Sequence, residues 1–231
     1  MLIKKLFYTT LFAVSLLLSG VVVGQNKSKQ AKVLISTEFG DIKIALYNET
    51  PKHRDNFIKL VKEGMYDGTL FHRVINDFMI QGGDPDSKTA PAGAMLGDGD
   101  VGYTIPEEFN STLIHKKGVL AAAREPDNIN PSKASSGCQF YIVEGRTFTR
   151  AEIDKMLKGK NARRKEPIVY TEEQYKTYET IGGYPSLDMD YTVFGEVLEG
   201  LDVVEKIAVV EKDKRNRPVK DIKMTIKIVK K

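Results

Sequence analysis

The amino-acid sequence predicts a mainly β protein built as an antiparallel barrel. Three observations indicate this: many short strand-like segments, two helix patterns separated by most of the chain, and no alternation of strands with helices. Such an alternation would indicate a parallel sheet, whereas many short strands are typical of barrels and sandwiches. With 231 residues, the chain can bury a sizeable core in one domain and still hold an insertion.

The composition argues against several classes of function. The 41% hydrophobic and 29% charged content is that of a globular protein. The 35 basic and 31 acidic residues are interspersed, so the formal net charge of +4 predicts no nucleic-acid surface. Cys138 is the only cysteine, which leaves no intramolecular disulfide. The three histidines lack the spacing of metal ligands, and we expect neither a metal nor a cofactor.

Residues 1–24 predict a signal peptide that is removed on export. Two lysines precede an apolar run at residues 11–23, and small residues follow, which is the order of a secretory signal. An uncleaved membrane anchor is the alternative, because residues 6–24 are just long enough to span a bilayer. In both cases the working domain, residues 25–231, is expected outside the cytoplasm: in the periplasm, or anchored in the inner membrane and facing the periplasm.

The working domain begins with two strand patterns and a helix pattern. Residues 33–37 and 41–47 predict strands, and in the second every other residue is apolar and faces inward. Thr50 and Pro51 are typical of a helix start, with threonine as the N-cap and proline at the first helical position. Gly64 is a natural helix stop.

The run at residues 71–84 is the most informative in the chain. Apolar residues at both ends flank an Asn-Asp pair, which predicts two short strands joined by a tight turn. Because side chains alternate along a strand, Met79 and Gln81 share one face, and Arg73 shares a face with the aromatic residue that begins the run. The hairpin would then place a guanidinium beside an amide, a thioether and an aromatic ring. An ordinary hairpin with an exposed arginine is the alternative.

Three later segments predict the surroundings of this hairpin. Residues 84–102 predict a mobile loop beside a groove, and not a phosphate loop, because the Lys-Ser/Thr ending and a following helix are missing. Residues 118–124 predict a strand with three consecutive alanines, which either pack closely in the barrel wall or let an extended peptide approach. Residues 135–143 predict a further strand, in which Gln139 and Tyr141 share one face.

The sequence resembles the cyclophilin-type peptidyl-prolyl cis-trans isomerases. Within the hairpin, three blocks stand at the family's spacing: Phe71-His72-Arg73, Phe78-Met79 and Gln81-Gly82-Gly83-Asp84. Four further blocks agree in order, at residues 105–109, 118–124, 135–143 and 187–195. The resemblance covers about residues 33–229 apart from one insertion. It implies a closed eight-stranded antiparallel β-barrel, capped by two helices, with the active groove on the outside.

The resemblance also implies the site. Arg73 would stabilise the twisted amide of the transition state, and Gln81 would orient Arg73. Seven further residues would bind the substrate: Phe78, Met79, Ala123, Gln139, Tyr141, Leu187 and Tyr191. The sequence departs from the family at several positions. Ser186 stands where many members have tryptophan, Tyr191 where they have histidine, and Tyr141 where phenylalanine is usual. Arg124 and Glu125 replace the Asn-Ala of many eukaryotic members, a change that we interpret as tolerated.

Residues 149–185 are the insertion, because compact members of the family have a short loop there. A capping box at residues 149–152 predicts one helix, residues 171–174 start a second, and a basic stretch lies between them. We interpret the element as a solvated decoration, with a client- or partner-binding arm as the alternative. The chain then resumes with an amphipathic helix at residues 201–208 and a closing strand at residues 222–228.

The predicted function is rotation about X-Pro peptide bonds in exported proteins, which assists their folding. The expected partners are prolyl-containing polypeptides, and the chain is expected to be a monomer. Two alternatives remain open on the same fold. One is a chaperone that binds prolyl segments without significant turnover, and the other is an envelope interaction protein that uses the inserted helices as its interface.

Overall fold

The computed structural model describes residues 29–229, which contain ten strands and four α-helices joined by loops and short 3-10 turns. Eight strands share one sheet: β1 Lys32–Thr37, β2 Gly40–Leu46, β3 Phe71–Ile75, β4 Met79–Gly82, β6 Val119–Ala122, β8 Phe140–Val143, β9 Val193–Glu199 and β10 Thr225–Ile228. A separate pair consists of β5 Thr104–Ile105 and β7 Ser135–Ser136. The helices are α1 Pro51–Lys62, α2 Arg150–Asn161, α3 Glu172–Thr180 and α4 Leu201–Ala208. The predicted signal peptide lies outside the described residues.

The large sheet is antiparallel, but the prediction of a closed barrel is wrong: it is an open half-barrel. The strand order is β10-β1-β2-β9-β6-β8-β4-β3, so β10 and β3 are edge strands. Within residues 29–229, the segments beside these two edge strands are connected by an isolated bridge between Leu70 and Lys223 and by individual backbone hydrogen bonds, not by a ladder. The segment that faces β3 is irregular, because Asn216 adopts a left-handed φ of 64° and Pro218 has no amide hydrogen to donate. A continuous ladder cannot form there.

Alternate residues of the same strands pack on the two faces of this sheet. Ile80 and Phe140 belong to the main core, which α1 and α4 cover, as the prediction of two capping helices requires. Met79 and Tyr141 belong to a second apolar cluster on the opposite face. The period-2 alternation of the sequence therefore separates the residues of the core from those available to form a groove.

Helix α1 begins and ends as predicted, but the group that caps it differs. Thr50 occupies the N-cap position, yet its side chain makes no capping hydrogen bond. The carboxylate of Glu108 accepts hydrogen bonds from the backbone amides of Lys52 (3.1 Å) and His53 (3.0 Å) instead. An acceptor from a distant loop thus satisfies the free amides of the first turn. Beyond the C-terminus, Gly64 adopts the left-handed φ of 68°.

The insertion forms both predicted helices. Each begins with a complete capping box, made by Thr149 with Glu152 and by Thr171 with Gln174. The two helices enclose a third apolar cluster, which also includes Ile114 from outside the insertion. One face of the element is thus packed against the rest of the domain, and its role as a solvated decoration or as a binding arm stays a prediction. No helix within residues 29–229 has both the length and the apolar character that crossing a membrane requires.

Candidate active site

The β3–β4 hairpin fixes the position of Arg73. The antiparallel register sets Arg73 directly opposite Gln81, so their side chains leave the same face of the sheet. Arg73 Nη1 donates a hydrogen bond to Gln81 Oε1 at 3.1 Å. The turn between the strands is tight, with Asp77 at a left-handed φ of 60°, a conformation that aspartate tolerates. Residues close in sequence thus create the pairing that the alternation predicted.

A chain of side-chain amides holds Gln81 in one orientation. Gln139 is buried, and its Nε2 donates to the carbonyl oxygens of Gly97 (2.7 Å) and Gly99 (2.9 Å). Its Oε1 is therefore left to accept from Gln81 Nε2, at 3.1 Å. The oxygen of Gln81 must then face Arg73. Two glutamines and a loop backbone together set the direction of the guanidinium.

Arg73 stands at a cavity of about 140 Å³. An apolar cavity of about 150 Å³ is large enough for benzene, so a five-membered ring fits here. The lining residues are Arg73, Phe78, Met79, Gln81, Ala123, Arg124, Tyr141, Leu187 and Tyr191. The structure thus brings together eight of the nine residues predicted for the site, and Gln139 lies behind Gln81. Their roles remain predictions.

The guanidinium of Arg73 is not neutralised by a carboxylate within residues 29–229. Its Cζ lies 5.9 Å from the centre of the Phe78 ring, a cation–π contact. Partial burial lowers the pKa of Arg73 from its ordinary value, and the neighbouring Tyr191 opposes this shift. Arginine nevertheless stays protonated at any physiological pH. The site therefore offers a permanent cation beside a cavity with several apolar and aromatic walls, and no acid–base pair.

Arg124 is a residue of the cavity that the sequence reasoning missed. Its guanidinium carbon lies 4.4 Å from the centre of the Tyr191 ring, and its Nε donates to the carbonyl oxygen of Asp190 at 2.7 Å. The side chain thus holds the aromatic wall of the cavity. Its position next to Ala123 in a strand of small residues was the available signal.

The hydroxyl of Tyr141 has a buried partner and not a solvent contact at the rim. His115 Nε2 lies 3.0 Å from Tyr141 Oη, and His115 Nδ1 lies 2.8 Å from Asp188 Oδ1. His115 and Asp188 are both buried. The base of the cavity is therefore supported by a polar chain that the sequence did not reveal, since its members lie far apart along it.

A larger cavity of about 630 Å³ adjoins the first. The two share Gln81, Ala123 and Arg124 in their linings. The glycine-rich loop predicted beside a groove lies along the larger cavity, where Asp84 Oδ2 accepts a hydrogen bond from the Gly97 amide at 2.6 Å. An extended chain whose ring occupies the small cavity can therefore continue into the larger one.

His72 alternates with Arg73 and faces inward. It is 4% exposed, and neither ring nitrogen has a hydrogen-bond partner. Burial lowers the pKa of His72 to about 4, with a smaller opposing effect of Asp84. The unfolded chain takes up a proton as the pH falls through 6.5, whereas the folded protein does so only near pH 4. Stability is therefore lost as the pH falls between these two values and is unaffected above them.

Because of this histidine, we expect the free energy of unfolding to fall by about 2–3 kcal/mol between pH 7 and pH 4.5. Urea unfolding of the wild type and of His72→Asn at both values measures the effect. The variant should lose less stability than the wild type by that amount. Equal losses in the two proteins would show that His72 titrates normally in the folded state.

A second polar constellation has the order of a serine-hydrolase triad. His53 Nε2 lies 2.9 Å from Ser135 Oγ, and His53 Nδ1 lies 2.8 Å from Glu108 Oε2. Ser135 is only 1% exposed, and the adjoining void of about 10 Å³ admits no substrate. The three residues instead join α1 to β7 and to the loop that caps α1. Within residues 29–229, no group of three or more His, Cys, Asp or Glu side chains is placed to hold a metal ion.

Fold and site together define a class of protein. It is an antiparallel half-barrel with a groove large enough for a peptide, a cavity large enough for a five-membered ring, and the permanently charged Arg73 at that cavity. The family model described as "Cyclophilin type peptidyl-prolyl cis-trans isomerase/CLD" matches residues 32–228. A protein of Staphylococcus haemolyticus that carries the name peptidyl-prolyl cis-trans isomerase is 34% identical over 197 residues, covering 85% of this chain and 89% of the relative. A Staphylococcus saprophyticus protein of that name is 34% identical over 194 residues, covering 84% and 88%.

Solved structures agree with this fold. A cyclophilin-type peptidyl-prolyl cis-trans isomerase of Cryptosporidium parvum superimposes with a TM-score of 0.62 at 23% identity, covering 88% of this chain and 99% of that one. The same protein in the presence of the dipeptide Ala-Pro gives a TM-score of 0.59 at 24% identity, covering 87% and 99%. The chain belongs to the cyclophilin-type peptidyl-prolyl cis-trans isomerase family, as its motifs predicted, and is an enzyme of that family.

Proposed function

We propose that the protein catalyses rotation about X-Pro peptide bonds in exported polypeptides and so assists their folding. The observation that carries the proposal is the placement of Arg73. An oriented, un-neutralised guanidinium faces a cavity of about 140 Å³ that fits a proline ring. No other group in the cavity is arranged for acid–base or nucleophilic chemistry, and none is needed for this reaction.

The reaction requires only that the twisted amide be favoured over the planar one. Resonance opposes rotation about the C–N bond with a barrier of about 18–20 kcal/mol. In the twisted state the proline nitrogen loses its conjugation, becomes pyramidal and gains a lone pair. A donor aimed at that nitrogen binds the transition state more strongly than the ground state, which is the condition for catalysis. Arg73 supplies such a donor without titrating.

The cavity walls would hold the proline ring in place, which rotation about the preceding peptide bond requires. Met79, Tyr141 and Leu187 surround the ring, and Phe78 packs close to Arg73. With the ring held, the acyl part of the peptide turns in the adjoining larger cavity. Ala123 lies where the two cavities meet, and Gln139 lines the larger one. The Gln139 side chain and the backbone near Ala123 would hold the extended chain.

Refolding of a protein whose slow phase is limited by proline isomerisation tests the folding role. Uncatalysed X-Pro bonds interconvert in tens to hundreds of seconds. Catalytic amounts of the protein should shorten this phase in proportion to their concentration, and Arg73→Ala should not. Acceleration that requires stoichiometric amounts would contradict turnover and favour the chaperone.

We also propose that the protein acts outside the inner membrane, on the basis of the cationic start and interrupted apolar run of residues 1–24. The mature chain is then expected to begin near Gln25. N-terminal sequencing of the protein from an envelope fraction checks this. Intact Met1 in the membrane fraction would instead indicate an uncleaved anchor.

A further inference from the structure

The inserted element contacts the back of the segment that forms one wall of the proline cavity. We call residues 186–191 the wall segment, because they carry Leu187 and Tyr191, which line the cavity. The insertion ends immediately before this segment. Helix α2, the loop after it and helix α3 all send side chains to its polar groups.

Lys160, near the end of α2, contacts the wall segment at three points. Its Nζ donates to the carbonyl oxygens of Ser186 (2.7 Å) and Asp188, and it pairs with Asp190 Oδ2 at 2.6 Å. The side chain is only 12% exposed. A solvent-exposed lysine on the surface would keep its ammonium group in water. This ammonium instead gives all three of its donors to one short segment.

Arg164, which follows the end of α2, binds the same wall segment. Its Nη1 donates to Asp190 Oδ1 at 3.0 Å, and its Nη2 donates to the carbonyl oxygen of Met189 at 3.3 Å. Met189 adopts a left-handed φ of 60°, which is unfavourable for a residue with its side chain. The two cations thus bind the carbonyls on and beside a strained residue, between Leu187 and Tyr191.

Asp190 and Asp188 connect the wall segment to two other parts of the molecule. Asp190 also binds Lys133 Nζ, from the loop along the larger cavity, and the combined cations hold the pKa of Asp190 below its ordinary value despite burial. Asp188 Oδ2 accepts hydrogen bonds from the hydroxyls of Tyr170 and Tyr178, both in the insertion. The other oxygen of Asp188 contacts the histidine that supports Tyr141. Insertion, wall segment and cavity base form one connected network.

We propose that Lys160 and Arg164 are positioning residues of the proline cavity. Through these two residues, the insertion supports the active site. They act by fixing the wall segment, so that Leu187 and Tyr191 meet the ring in one geometry. This inference rests on the proposed isomerase function. It assigns to the insertion a role that its basic sequence, which is typical of a solvent-exposed element, did not predict.

The test uses the full chain with Lys160→Met and Arg164→Met, singly and combined. Both changes keep the aliphatic packing and remove the donors. Since a misplacement of about 1 Å can cost about 10²-fold in rate, we expect the double variant to lose about tenfold in kcat/KM. The loss should fall mainly on KM, because the wall binds the ring in ground state and transition state alike. Lys160→Arg, which keeps the charge and donors, should retain most of the wild-type kcat/KM.

Arg150→Met is the matched control. Arg150 lies on the same helix and pairs with Glu172 of α3 at 2.6 Å, but it does not contact the wall segment. Because an exposed ion pair contributes little to stability, its loss should leave the insertion folded and kcat/KM within about twofold of the wild type. All rates are measured below the onset of melting of each variant. A folded double variant with wild-type kcat/KM would overturn the proposal, as would an equal loss in Arg150→Met.

Affinity for a prolyl peptide separates this inference from the proposed function. Titration followed by nuclear magnetic resonance reads peptide binding even in the absence of turnover. Loss of affinity in the double variant, with none in Arg150→Met, supports the positioning role whether or not the wild type turns over. Equal affinities in all three proteins would contradict it. Absence of turnover in the wild type would contradict the proposed function alone.

Discussion

Replacing Arg73 by alanine is expected to lower kcat/KM on a prolyl peptide by about 10²- to 10³-fold, the usual effect of losing one preorganised donor to a developing charge or lone pair. The fold should survive, because Arg73 is partly exposed and makes a single hydrogen bond, to Gln81, among the described residues. Arg73→Lys should rescue little, since a lysine keeps the charge but lacks the planar fork that Gln81 orients.

The measurement is kcat/KM for each variant beside its circular dichroism spectrum and melting temperature. Arg150→Ala, an exposed arginine of the insertion, is the control and should leave turnover unchanged. An Arg73→Ala protein that is folded and retains more than about a third of wild-type kcat/KM would show that Arg73 is not the catalytic group. A merely solvated arginine predicts this second result.

Replacing Asp188 by alanine should produce the largest loss of stability. Its carboxylate is buried and accepts hydrogen bonds from the backbone and Nδ1 of His115 and from the hydroxyls of Tyr170 and Tyr178. Removing it leaves these donors buried without an acceptor, for which we expect a loss of about 3–5 kcal/mol in the free energy of unfolding.

Asp202→Ala is the control for this change. Asp202 pairs with Lys206 at 2.7 Å, but it is 66% exposed, and a surface pair of this kind contributes little to stability because solvent screens it. Urea unfolding of both variants decides between the two sites. Similar losses for Asp188→Ala and Asp202→Ala would mean that the network around Asp188 contributes no more than a surface ion pair.

The sequence could predict the hairpin of the site because its geometry is local. Only a tight turn separates the strands of Arg73 and Gln81, and alternation then determines which side chains share a face. The identities of Gln139, Tyr141 and Leu187 came from the family resemblance, and their convergence on one cavity needed the fold.

Contacts between distant segments could not be predicted. Lys160 and Arg164 stand in a basic stretch that is typical of a solvated helix, and only the return of the chain to Asp190 gives them a partner. Arg124 and Tyr191 stack across a still larger separation along the chain. The open sheet has the same origin, since it depends on how regularly the chain near Asn216 runs beside β3. Strand patterns do not show whether two edges join.

Exchange spectroscopy on a prolyl peptide at equilibrium tests most directly whether this cavity turns an X-Pro bond. Alone, the peptide exchanges between cis and trans in tens to hundreds of seconds. With a catalytic amount of the wild-type protein, we expect exchange to become fast while the cis fraction stays the same, and Arg73→Ala should abolish most of this effect. Binding of the peptide by the wild type with no change in its exchange rate would contradict the proposed function and indicate a prolyl-binding chaperone.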